Sequence, residues 1–491
     1  MKKYKTLLAV VALVFAFASC QDLDKLSEDP NKVTEADPYL LLTNVSKKAF
    51  SLDGISKEYA SRMIIQTDGE NTSQYFKWNS GSFGNYKVLL QVQKMMDEAK
   101  RSGKEEYIAI GHFIKAYLFY DLTMTFGDIP YSEALLGENK IPFPKYDNQE
   151  LVFEGILNEL ELASSLIQEK QTLKGDIIYA GNALKWKKLI NSFQLKVLMT
   201  LSKKSKVGNI DIASRFKKVY ESGDLIENNL DSGQLVFYDQ AGSRYPQFNS
   251  SSYGSGMYMS GTFIDLLKEL EDPRLFAFAQ LTSSALEKGL SINDFSGYNG
   301  GDPIVPYAEN EKLVQTKNIS KIKSRYYLDA TAEPNSILSY SELQFILAEA
   351  AARGWIASSA EIFYNKGIKS NFEFYETYAK TMGEYYKVDE YNKYIDNQNV
   401  KFDSSGDLQS QLKQILTQKY ITMFHQGGWT IYYDHLRTGF PEFKVATGMT
   451  APTRWIYPSS EYNQNQNHLQ DAIQRQFAGS DNIKGISWWL K

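Results

Sequence analysis

SYSELQFILAEAAARGWIASSAEIFYNKGIKSNFEFY, residues 339–375, reads as two helices set back to back. The first runs over 339–353 and the second over 358–375, with only a short link between them. Leu347 and Ala348 stand toward the end of the first helix. Ala360, Tyr364 and Gly367 recur on one face of the second, four and then three residues apart. Small side chains at Ala348, Ala360 and Gly367 let two helices approach closely, and the short link makes them antiparallel neighbours. This stretch therefore specifies a helical hairpin.

The same spacing partly matches the tetratricopeptide pattern, which repeats about every 34 residues. Helical periodicity continues over most of the chain. Asp37-Pro38 supplies a cap followed by proline at the first helical position and opens a helix near 38–50. Tyr107, Ile110, Ile114 and Tyr117 form a stripe over 104–126, and Trp186, Ile190, Phe193 and Val197 form another over 180–203. Further helices are expected near 53–66, 85–100, 147–168, 208–221, 261–271, 409–426 and 461–475. The stripes read as core packing. The expected fold is mostly α, a tetratricopeptide-like helical-hairpin scaffold with long irregular insertions.

Two stretches depart from the helical pattern. Residues 67–84, TDGENTSQYFKWNSGSFG, mix Gly, Ser and Asn with aromatic rings. Residues 227–335 are rich in Gly, Ser, Asn and Tyr and read as aperiodic. Long irregular segments in a compact protein often carry function. Tyr75, Phe76 and Trp78 lie beside Asn71, Gln74 and Asn79, which puts apolar ring faces next to planar amides. That combination suits a sugar, whose C–H face stacks on a ring while its hydroxyls need polar partners. Trp78, flanked by Lys77 and Asn79, is the leading candidate. A second candidate platform, 244–258, interleaves Arg244, Tyr245, Gln247, Phe248, Asn249 and Tyr253. At any one of these positions the competing reading is a ring that caps the helical core.

The first twenty residues, MKKYKTLLAVVALVFAFASC, read as a targeting segment. Lys2, Lys3 and Lys5 precede an uncharged run from Leu7 to Ala18, too short for a permanent span. The run ends at Ala18-Ser19-Cys20, and Cys20 is the one cysteine in the chain. A bacterial lipoprotein signal is expected over 1–19, with cleavage before Cys20 and lipidation of that residue. Phe17 stands where an aliphatic residue is usual. Residues 20–36 then form a tether, with acidic Asp22 and Asp24 near its start, and 37–491 form one helical domain with insertions near 67–84 and 227–335.

Composition narrows the function classes. The 491-residue chain is 43% hydrophobic and 23% charged, enough to bury a sizeable core. A formal net charge of -4 argues against nucleic acid as a partner. With a lone cysteine and four dispersed histidines, a cysteine-based metal site or a tight histidine pair is not available. No cofactor is expected, although carboxylates could still hold a structural calcium ion. The serine-elbow and phosphate-loop motifs are absent, and Gly254-x-Gly256 fails the dinucleotide fingerprint because position 259 is Met. The 33 Tyr, 27 Phe and 7 Trp stand out, since such rings suit half-wet surfaces.

Several segments together resemble the SusD/RagB family of outer-membrane nutrient-binding lipoproteins of Bacteroidetes, in its SusD-like branch. They are LSEDPNKVTEADPYLLLTN (26–44) after Cys20, GHFIKAYLFYDLTMTFGDIPYSEAL (111–135), ALKWKKLINSFQLKVLM (183–199), GTFIDLLKELEDPRLFAFA (261–279), SYSELQFILAEAAARGW (339–355) and APTRWIYPSSEYNQNQN (451–467). The resemblance implies a non-enzymatic, cell-surface glycan-binding lipoprotein held to the outer membrane through its lipid anchor only. It also implies a SusC-like, TonB-dependent outer-membrane barrel as partner, over which the lipoprotein closes as a lid. Capture of peptides or protein fragments by the same kind of complex is an alternative. A surface hydrolase using carboxylates is a second one.

Overall fold

The computed structural model describes residues 36–51, 54–137, 140–168, 172–379 and 390–491. The targeting segment, Cys20 and all but the last residue of the tether lie outside the described residues.

The fold is mostly α-helical. In chain order the principal helices are α1 (Pro38–Ala49), α2 (Asn85–Ser102), α3 (Glu105–Phe126), α4 (Gln149–Leu166), α5 (Ala183–Thr200), α6 (Ile212–Glu221), α7 (Tyr340–Ala352), α8 (Ala360–Tyr378), α9 (Leu408–Thr422), α10 (Thr430–Thr438) and α11 (Gln466–Phe477). Local chemistry starts many of them. The side chains of Asp37, Asn148, Asn182, Asp211, Ser339 and Asp407 each accept a hydrogen bond from a backbone N–H in the first turn. Gly103, at φ 68°, closes α2 in the left-handed conformation that glycine adopts without strain. α3 is buried around most of its circumference and packs against both α2 and α4, so it lacks a polar face.

The hairpin formed by α7 and α8 packs as its small residues require. A Cβ at Gly367 would lie 2.8 Å from the Phe345 ring, and Ser341 Oγ donates to the Gly367 carbonyl at 2.7 Å. α7 also packs on α9. A buried ionic seam ties this hairpin to α5, α9 and α10. Lys196 meets Glu342 at 2.9 Å, Lys419 meets Asp434 at 2.8 Å, and Arg437 bridges Glu349 and Asp434. Removing one member of such a seam strands a buried charge, so it constrains how the helices register. Most buried apolar side chains, from Leu42 to Leu490, form one contiguous cluster, and Ile65, Tyr258 and Ile319 form a small second one.

The expected helix over 53–66 is short. It spans Ser56–Ala60 and stops at Arg62, whose φ of 63° cannot continue a right-handed helix. The chain then enters β1 (Ile64–Gln66). The segment 227–335 is not aperiodic throughout. It contains β2 (Gly233–Leu235), β3 (Met257–Met259) and helices at Gly261–Glu269, Leu275–Phe278, Ser283–Glu287, Tyr307–Gln315 and Arg325–Leu328. Apart from 261–271 these elements escape the sequence pattern: Tyr307–Gln315 buries only Asn310 and so has no apolar stripe, and the others are too short to show a period. β3 pairs antiparallel with β1, Ile65 facing Tyr258, and β2 pairs antiparallel with β4 (Asn335–Leu338).

Candidate functional site

Residues 67–84 form a wall between two clefts. Asn71 starts it, its side-chain oxygen accepting from the backbone N–H groups of Ser73 and Gln74, each at 3.0 Å. Buried Gln74 locks the loop to β1 and to residue 303: its Oε1 accepts from Gln66 N at 2.8 Å and its Nε2 donates to Pro303 O at 3.3 Å. Tyr75 Oη donates to Val305 O at 2.8 Å. Trp78 Nε1 donates to Arg454 O at 3.2 Å, and Ile456 N donates to Asn79 O at 3.1 Å. Lys77 stands at the crest, paired with Glu70, and lines both clefts.

On one side lies an aromatic cleft of about 450 Å³, lined by Thr72, Ser73, Trp78, Asn79, Ser80, Lys57, Trp429 and Trp455 among others. Its three indoles touch. Trp78 stacks on Trp455 at 5.1 Å between ring centroids and 18° between planes, while Trp429 meets Trp455 edge-on at 4.6 Å and Trp78 at 5.6 Å. Trp429 and Trp455 are half-buried, so they offer ring surface to the cleft, whereas Trp78 is 7% exposed and mainly supports them. Hydroxyls, an amide and ammonium groups share the lining. Rings beside polar groups are what an oligosaccharide requires.

On the other side lies a cleft of about 340 Å³, lined by Tyr75, Tyr307, Pro303, Ile304, Pro306 and Met449, with Arg62 and Phe76. Its surface is chiefly apolar. Arg62 is 1% exposed, and its guanidinium lies over the Phe76 ring. Burial holds its pKa down at about 10, below the usual arginine range.

Tyr75, Phe76, Trp78 and Asn79 all lie on this wall. Asn79 is exposed, Tyr75 is half-buried, and Phe76 is 3% exposed beneath Arg62. The second platform is different. Tyr245 and Tyr253 are buried at 2% and 0% exposure. Tyr245 packs edge-on against Phe237 at 5.4 Å, and Tyr253 packs on Tyr327 at 5.6 Å, so both rings belong to the core in this structure. A polar, glycine-rich neighbourhood does not reveal which way a ring turns. Sequence reasoning missed Trp429, Trp455, Tyr307 and Arg62. The pair Gly427-Gly428 before Trp429 was an available signal, since both glycines take positive φ, 69° and 56°, to turn the chain there.

Comparisons with known proteins agree with this architecture. Residues 30–458 match the SusD-like family described as "Starch-binding associating with outer membrane". A SusD homologue from Bacteroides fragilis is 46% identical, with a TM-score of 0.88 over 93% of this chain and 100% of its own. An outer-membrane protein from Bacteroides vulgatus, whose description points to nutrient binding, is 44% identical, with a TM-score of 0.90 over 93% of this chain and 100% of its own. A chitin-binding protein at 24% identity shares the fold, with a TM-score of 0.74 over 92% of this chain and 100% of its own. No curated protein matches. Among the described residues no helix is long and apolar enough to cross a membrane.

Proposed function

This chain belongs to the SusD-like family of starch-binding proteins that associate with the outer membrane, and on that premise we propose that it is a binding protein, not an enzyme, that captures oligosaccharide at the cell surface. The observation that carries this reading is the aromatic cleft, where Trp429 and Trp455 offer ring surface beside Ser73, Asn79 and Ser80. Stacking supplies affinity for C–H faces, and the hydroxyls and amide orient the ligand. In this reading Cys20 carries the lipid anchor, 20–36 is the tether, and 37–491 act as one unit. The captured glycan passes to a SusC-like, TonB-dependent barrel in the outer membrane.

The test is calorimetric titration of the purified protein with a panel of neutral and acidic oligosaccharides, followed by analysis of each mixture for shortened products. Binding without product release supports the proposal. Release of shorter sugars points to a hydrolase, and absence of binding to every carbohydrate rejects glycan capture. Recovery of a large β-barrel with the protein in mild detergent supports delivery to a transporter. Recovery of the protein alone, with the barrel expressed, counts against it.

A further inference from the structure

The second cleft contains a buried cation with which no carboxylate of the described residues forms an ion pair. Arg62 is 1% exposed and lines the cleft. A guanidinium carries five N–H donors. Arg62 Nε donates to Lys444 O at 3.0 Å, and Nη1 donates to the carbonyls of Tyr59 and Gln74. Its protein acceptors are thus neutral carbonyls, and Nη2 donates to no protein group among the described residues.

No carboxylate pairs with it there either. The acids around the cleft have direct partners of their own: Glu70 pairs with Lys77, and Asp302, whose charge reaches Arg62 only at longer range, pairs with Lys444 at 3.7 Å. Elsewhere the fold does not leave buried arginines this way. Arg274 pairs with Asp272 at 2.6 Å, Arg325 with Glu333 at 2.7 Å and Arg437 with Asp434 at 2.8 Å. Arg454 pairs with Asp481. Burying a cation without a counter-charge is unfavourable, and a ligand carboxylate entering from the cleft would restore the balance.

We infer that this cleft binds the carboxylate of an acidic sugar unit, with Arg62 as the counter-charge and the tyrosine and proline faces of the cleft against the sugar's C–H surface. The inference rests on the glycan-capture reading and names the substrate class: an oligosaccharide bearing carboxylates. Lys77 lines both clefts, so one ligand crossing the wall's crest could place a neutral unit among the indoles and an acidic unit over Arg62.

The experiment compares, on the wild-type protein, tri- to pentasaccharides containing galacturonic, glucuronic, mannuronic or sialic acid. Each is titrated as the free acid, as its methyl ester and as the neutral sugar of the same length. At least one free acid should bind tenfold or more tighter than its own ester. Arg62→Met should abolish that advantage, with folding of the variant checked by circular dichroism. The acid–ester comparison does not depend on the variant. Equal affinity for every acid and its ester overturns the inference, and so does an advantage that persists in a folded Arg62→Met protein. Preference for a sulfated sugar without preference for any carboxylate overturns it too. If only neutral sugars bind, the acidic class falls and glycan capture stands. If no carbohydrate binds, both fall.

Discussion

The guanidinium carbon of Arg62 lies 3.9 Å from the centre of the Phe76 ring, and both residues hold left-handed backbones, at φ 63° and 54°. Neither is a glycine, so each conformation carries strain, on the order of 1–3 kcal/mol. Two strained positions that meet in one contact hold the floor of the apolar cleft in place. The contact also joins the end of the helix at Ser56–Ala60 to the wall at 67–84.

Phe76→Ala removes a buried ring and the partner of a buried cation. The expected loss of stability is about 3–5 kcal/mol, as for other buried phenylalanines. Urea denaturation followed by circular dichroism measures it. A loss under about 1 kcal/mol would show that the ring is not holding the cleft.

The three indoles should divide by role. Trp429→Ala and Trp455→Ala should each weaken oligosaccharide binding roughly tenfold, since stacking on an aromatic is worth about 1–3 kcal/mol. Trp78→Ala should weaken binding and also lower the melting temperature, because its ring is buried and its Nε1–H is bonded to Arg454 O. Calorimetry and thermal melts on the same samples separate the two effects. An unchanged melting temperature for Trp78→Ala would return Trp78 to a purely ligand-facing role.

Cys20→Ala should leave the protein unprocessed or free of the membrane. Labelling with a radioactive acyl donor, with fractionation of the cells, checks this. Equal labelling of wild type and variant would exclude Cys20 as the lipid attachment point.

Asp128 gives a pH dependence. Burial raises its pKa to about 6, although Arg475 pairs with it. Because the folded value lies above the ordinary one of 3.8, the folded state holds this proton more tightly than the unfolded state. Stability contributed here is present below about pH 4 and is lost as pH rises through about 6, a swing of about 1–3 kcal/mol. Asp128→Asn should remove that slope. The check is the difference in urea midpoints between wild type and variant from pH 4 to pH 7. A difference that does not change across that range would place the titration elsewhere.

The helical scaffold was legible because its signals are local. Asp37-Pro38, the stripes in α3 and α5 and the small residue at Gly367 each act within a few turns, and the structure places helices at those positions. The wall was legible in part, since Tyr75, Phe76, Trp78 and Asn79 are neighbours in sequence. Trp429, Trp455 and Arg62 were not, because they reach the site only through tertiary folding. Tyr245 and Tyr253 show the converse: composition suited to a surface, with rings turned inward by contacts to Phe237 and Tyr327.

The bonds that fasten the wall have a temporal consequence. Tyr75 is tied to a carbonyl 230 residues further along the chain, and Trp78 to one 376 residues further along. As the chain folds the N-terminal helices can pair early, yet both clefts stay incomplete until the region around Arg454 has docked. Contacts this distant in sequence form late and slow the final step of folding. Until then Trp78 and Phe76 lack their partners and leave apolar ring surface uncovered. In the proposed glycan-binding role, affinity is therefore gained last, once the two distant segments have closed on the wall.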